Sequence, residues 1–146
     1  MKPVVISMAT MEGDPVDTFR PDDPTDFLLQ ICLEMGFDGQ KGSELYYATI
    51  CSPKWLARRF SPDKVYVGQR LIIAGKYDWP RIKAAIQRYL DERCEGVDLR
   101  DVACKLQQIG FWENDQPAVP DDEYIELKRR ARRLMDESKR SKLPEV

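Results

Sequence analysis

From Phe27 to Met35 the side chains alternate. Phe27, Leu29, Ile31, Leu33 and Met35 fall on one side, and Leu28, Gln30, Cys32 and Glu34 on the other. A period of two is the repeat of an extended chain, so this stretch predicts a strand with a defined core face. A weaker alternation, Val4, Ile6 and Met8 against Val5, Ser7 and Ala9, predicts an earlier half-buried strand over 4–10. The run SELYYATICS follows the glycine-rich turn FDGQKGS, and a hairpin is the economical pairing. Setting the odd-numbered face of the first strand against Tyr46, Ala48 and Ile50 places Leu33 opposite Ala48 or Ile50, and Cys32 opposite Thr49 or Cys51. In the second of these registers the two cysteines come within bridging reach.

The repeat then lengthens. Ser52-Pro53 reads as a cap followed by proline at the first helical position, and opens a short helix, PKWLARRF. Arg70 to Ala74 is rich in β-formers and predicts a fourth strand. Asp78 caps a helix of about 15 residues whose apolar positions Ile82, Ala85, Ile86, Tyr89 and Leu90 recur at spacings of three and four, with Gly96 ending it. Asp98, with Asp101 three residues on, opens another helix carrying Leu99, Val102, Ala103, Leu106 and Ile109, closed by Gly110. After a loop over 114–120, Asp121, Asp122 and Glu123 complement the positive end of a last helix with the stripe Tyr124, Leu127, Ala131, Leu134 and Met135. Together these elements predict an α+β fold: a largely antiparallel sheet of about four strands, helices packed on one face, and an added C-terminal helix. Residues 1–113 form one domain. Residues 114–146 are a linker and a basic amphipathic helix, docked on the same domain or on a partner.

At 146 residues, 42% hydrophobic and 33% charged, the chain has the size and balance of one soluble domain with a core that needs no staples. No apolar run approaches the ~18 residues of a membrane span, and the first residues lack a signal peptide's pattern, so a cytoplasmic protein is expected. Histidine is absent, which excludes Ser-His-Asp and Cys-His catalysis and histidine-ligated zinc. Cys32, Cys51, Cys94 and Cys104 contain no CxxC and read as reduced, mostly buried thiols rather than a zinc or redox site. The net charge of −2 hides a polarity. Residues 1–40 carry eight acids against two bases, and residues 124–142 carry eight bases against three acids. Such asymmetry bears on partners and not on fold.

The acids Asp14, Asp17, Asp22, Asp23 and Asp26 crowd one proline-punctuated loop. Clustered carboxylates suit a hard cation, but the spacing lacks the pattern of a calcium loop, and a surface meeting a basic partner is the more natural use. No pair of carboxylates stands out for acid/base work, and no glycine string cradles phosphates. The run KRRARR, Lys128 to Arg133, has no interleaved aromatic residue and sits in an otherwise acidic chain. It reads as a solvated helix face ahead of a protein contact or a nucleic-acid one. Trp55, Trp79 and Trp112, at element boundaries, read as core or half-buried anchors.

Several stretches in order, PDDPTDF, GSELYYATICSPKWL, GQRLIIAGKYDWPRIKAAIQRYL and EGVDLRDVACKLQQIGFWE, make residues 20–113 resemble the immunity protein 8 family of bacterial polymorphic toxin systems. The most specific pieces are CSPKWLA at Cys51 to Ala57 and KLQQIGFWE at Lys105 to Glu113. Where the family tends to carry a tryptophan after the acid that opens the last shared helix, this chain has Leu99, and the tail from Asn114 looks like an addition. The resemblance implies a non-enzymatic inhibitor in the cytoplasm of a toxin-producing bacterium. Its partner is a cognate toxin domain, with no cofactor, metal, nucleic acid or membrane involved. Asp22, Asp23, Asp26, Glu95, Asp98 and Glu113 are the acids expected to face the toxin. The alternative is a regulatory or adaptor domain that binds another protein through the C-terminal helix.

Overall fold

A computed structural model describes residues 1–60, 62, 63, 65, 70–113 and 122–141, with the side chains of 122–128 and 141 left out. The loop 114–120, the capping acids 121–123, Tyr124, Leu127 and Lys128 therefore lie outside the described residues or side chains. The elements run β1 (Pro3–Thr10), β2 (Leu28–Phe37), β3 (Glu44–Cys51), α1 (Pro53–Arg59), β4 (Leu71–Ile73), α2 (Trp79–Arg93), α3 (Leu99–Leu106), β5 (Phe111–Trp112) and α4 (Asp122–Ser141).

The sheet is ordered β1-β2-β3-β4. β1–β2, β2–β3 and β3–β5 pair antiparallel, whereas β4 runs parallel to Thr49–Cys51, sharing the outer edge of β3 with β5. The expected fold class holds, with one short strand more than expected. The core lies where the alternation put it. Phe27, Leu29, Ile31, Leu33 and Met35 of the β2 stretch join Tyr46, Ala48 and Ile50 of β3 against Trp79, Ile82, Ile86 and Leu90 of α2 and Val102 and Leu106 of α3. Burying each of the larger apolar side chains contributes roughly 1.5–3 kcal/mol.

The register differs from both expected ones. Leu33 stands opposite Tyr46, and Cys32 opposite Tyr47. β2 runs on to Phe37 because β1 pairs with it that far, and the chain then reverses quickly through Gly39 and Gly42, at φ 79 and 88. The slip is an even number of residues, so the same faces meet. Cys51 pairs with Leu28, four positions from Cys32 along β2 and roughly 13 Å away at strand spacing. All four cysteines are free.

β1 departs from simple alternation. Val5 pairs with Met35 and Ser7 with Glu34, so Ile6 is an extra, bulged residue and the faces exchange across it. Val5 and Met8 therefore pack on the core, while Val4 and Ile6 stay exposed.

The two glycines expected to end helices have other work. α2 is capped by Cys94 and α3 by Gln107. A Cβ on Gly96 would come within 2.9 Å of the Val102 nitrogen, and one on Gly110 within 3.0 Å of the Tyr47 carbonyl oxygen. Both are glycine for close approach of backbone to backbone.

As expected, α2 and α3 pack on one face of the sheet, and the added C-terminal helix takes the other. Ala131 and Met135 of α4 are buried with Met11, Cys32, Leu45 and Tyr47 on the face opposite α2 and α3.

Candidate functional site

The acidic loop is built, not slack. Its 3-10 turn at Val16–Thr18 buries Val16, and Phe19 and Phe27 each meet the Tyr77 ring edge-on at 5.3 Å. The Tyr77 amide donates to the Pro24 carbonyl at 2.6 Å. The Asp23 carboxylate accepts from the Thr25 amide at 2.9 Å and the Thr25 hydroxyl at 2.8 Å, an Asx turn. These bonds, with Lys54 3.5 Å away, hold Asp23 below the usual carboxylate range. Asp26 pairs with Arg58 of α1 at 2.8 Å. Asp22 is exposed. Ser52, whose hydroxyl accepts from the Trp55 and Phe27 amides, ties the start of α1 to the start of β2 and so places Lys54 and Arg58 beside these acids.

Glu95 and Asp98 occupy the joint between α2 and α3. Asp98 caps α3 by accepting from the Asp101 amide at 2.9 Å, and the exposed Glu95 lends its carbonyl to Lys105. Asp101 is held below the usual range, first by the Val97 amide and then by Lys105. This joint meets the start of β1, where Met1 and Gly96 exchange two backbone hydrogen bonds. The start of β1 pairs with the far end of β2, about 30 Å along that ten-residue strand from the Asp26 end. The structure thus brings Asp22, Asp23 and Asp26 together, and Glu95 with Asp98, but sets the two groups at opposite ends of the sheet.

Glu113 is turned inward. It accepts from the Leu45 amide at 3.1 Å and pairs with Arg132 of α4. Nearby on this face Glu34, 3% exposed, accepts from Ser7 at 3.0 Å, Ser43 at 2.9 Å and Lys139 of α4 at 2.7 Å. Burial alone would raise the Glu34 pKa, but the bonds from Lys139, Ser43 and Ser7 outweigh it and hold the carboxyl below its ordinary value. Cys32 lies 3.3 Å from the Met135 sulfur, and burial pushes its thiol up to about 12. Burial likewise lifts Cys94 to about 11, so both stay protonated and unreactive near neutrality. Of the basic run, Arg129, Arg130 and Arg133 are exposed, as a solvated face requires, while Arg132 is engaged by Glu113. Among the described positions of the stripe that an adaptor helix would offer, Ala131 and Met135 are buried against this sheet.

Sequence reasoning missed a groove. Phe37, Tyr46, Leu99, Ala103, Cys104 and Trp112 line a mainly apolar recess of about 440 Å³ between α3 and the end of the sheet. Trp112 is fixed by donating its indole N–H to Glu44 at 2.9 Å. The Tyr46 hydroxyl is buried with no hydrogen-bond partner among the described residues, a situation that costs about 1–3 kcal/mol. Leu99 is 38% exposed and the preceding Val97 is 90% exposed. The sequence offers for it only two apolar residues, Val97 and Leu99, set among the acids Glu95 and Asp98.

Among the described residues no group of three or more Cys, Asp or Glu side chains is placed to hold a metal ion, and no helix is long and apolar enough to cross a membrane. The family model described as immunity protein 8 matches residues 4–116, from β1 past the end of β5. No curated protein and no solved structure matches the chain.

Proposed function

Because this chain belongs to the immunity protein 8 family, we propose that it binds a cognate toxin domain in the cytoplasm of the producing cell and neutralises it by contact, with no chemistry of its own. The observation that carries the reading is the extent of the match, 113 of 146 residues, which takes in the whole sheet with α1, α2 and α3. The exposed acids suit this role. Asp22 and Asp23 at one end of the sheet, and Glu95 and Asp98 at the other, would draw in a basic toxin surface and select against wrong partners. Asp26 and Glu113, engaged by Arg58 and Arg132, would act by holding those surfaces in shape.

A growth competition tests the reading. The parent bacterium is set against a strain lacking this gene and its toxin gene, with and without the protein supplied from a plasmid. Protection by the plasmid is expected. A supplied strain that dies as fast as the unsupplied one, under confirmed toxin delivery, would end the proposal.

A further inference from the structure

The seat under α4 and the helix that fills it come from different parts of the chain. Met11, Cys32, Leu45 and Tyr47, with the carboxylates of Glu34 and Glu113, fall inside residues 4–116, which the family model matches, whereas α4 begins at Asp122. The hold is light. Among the described side chains α4 buries only Ala131 and Met135, where α2 buries four, and a recess of about 400 Å³ runs between α4 and β1 past Ile6, Met8 and Leu134. The cations of its two ion pairs are well exposed, the Arg132 side chain at 40% and that of Lys139 at 53%. Such pairs contribute little to holding a helix down.

The acids of the seat are far more enclosed, the Glu113 side chain being 14% exposed and that of Glu34 4%. Whatever covers them must bring a cation to each or leave a desolvated carboxylate unpaired. Arg132 and Lys139 stand two turns apart, about 10 Å along a helix, and between them the Met135 sulfur lies 3.3 Å from that of Cys32. The seat therefore selects a helix with bases two turns apart on either side of an apolar residue. α4 is one such helix.

Resting on the immunity reading above, we infer that α4 is a tethered stand-in for a basic amphipathic helix of the toxin domain, and gives up the seat when that helix docks. In the free protein α4 keeps Cys32, Leu45 and Tyr47 from water. In the complex the toxin's helix lies on them, and its bases take over Glu34 and Glu113. The cover also filters partners. A tethered helix competes at high effective concentration, so only a toxin whose apolar and basic positions both match the seat displaces it.

The probe is the purified cognate toxin domain, added in saturating amount to the unaltered 146-residue chain. Amide hydrogen exchange in α4, read by mass spectrometry, should speed up about tenfold on binding, because the helix leaves its seat. Cys32 should stay closed to a disulfide reagent, because the toxin now covers it. In the double variant Arg132→Glu and Lys139→Glu each new acid faces Glu113 or Glu34, so α4 is held more weakly and the toxin should bind about tenfold tighter. Weaker or equal binding by that variant overturns the displacement. So does a complex in which α4 exchange is unchanged or slowed, or in which Cys32 turns reactive, and each of these results leaves the immunity reading standing. Failure of the unaltered protein to bind the toxin overturns both readings.

Discussion

Glu34 is a carboxylate in a sheet face, and its ionisation is tied to folding. Its pKa lies below the ordinary 4.5 in the folded chain, so the folded state binds fewer protons than the unfolded one near that pH. Its contribution to stability is full above 4.5 and drains away as pH falls through the lowered folded value. Urea unfolding measured from pH 7 to pH 3 should show this loss on the acid side, and Glu34→Gln should flatten that limb. Tyr46 makes an opposite case. Tyr46→Phe removes a buried hydroxyl with no partner, so the free protein should hold or gain about 1 kcal/mol in denaturant unfolding. Gly96→Ala, by contrast, should cost about 1–3 kcal/mol, because the new methyl meets the Val102 backbone at 2.9 Å. At this level the sequence spoke through its caps: Ser52, Asp78 and Asp98 each accept the amide that their position demanded. Inward Glu113 and partnerless Tyr46 were unreadable, since an isolated residue type does not say which neighbour the fold brings to it.

α4 shows how far an amphipathic stripe informs. Its apolar spacing was plain, but a stripe does not say which surface it seeks, and the β2 alternation set Cys32 and Glu34 on the side away from the core without saying what covers them. The structure buries both beneath Ala131, Met135 and Lys139. Truncation after residue 116 should therefore expose a second apolar face. ANS binding should rise, and Cys32, silent in the full chain, should react with a disulfide reagent in the shortened one. We expect protection against the toxin to survive, since the truncated chain keeps the whole family-matched region. Register was read to within an even slip because polarity constrains faces strictly and turn length loosely.

The charge polarity along the chain has two outlets. Arg132 and Lys139 of the basic end are engaged at home by Glu113 and Glu34, while Arg129, Arg130 and Arg133 stay exposed, so the outward field keeps both signs and Asp22 and Asp23 act as a local acidic patch. Reversing Asp22 and Asp23 to lysine should slow association with the toxin about tenfold at low ionic strength, and the difference should fade as salt shortens the reach of the field. Stopped-flow measurements at several salt concentrations would read this directly. Class, core and family were visible in the chain because each is spread over many residues. The apolar recess was not, because it joins Phe37, Tyr46, Leu99 and Trp112 from four separate elements or their ends.

The extra residue in β1 bears on how much of this protein a cell can hold. Pro3 to Thr10 pair on one side with β2, and on the other side Ala9 is bridged to Pro15, so an unbroken ladder over the residues before Ala9 would invite a second molecule to continue the sheet. Ile6 interrupts the ladder in the middle and twists the strand, so no neighbour can dock more than a few residues in register. Removing that single isoleucine would straighten the border, but it would also turn either Val5 or Met8 away from the core, so the bulge serves the packing as well as the edge.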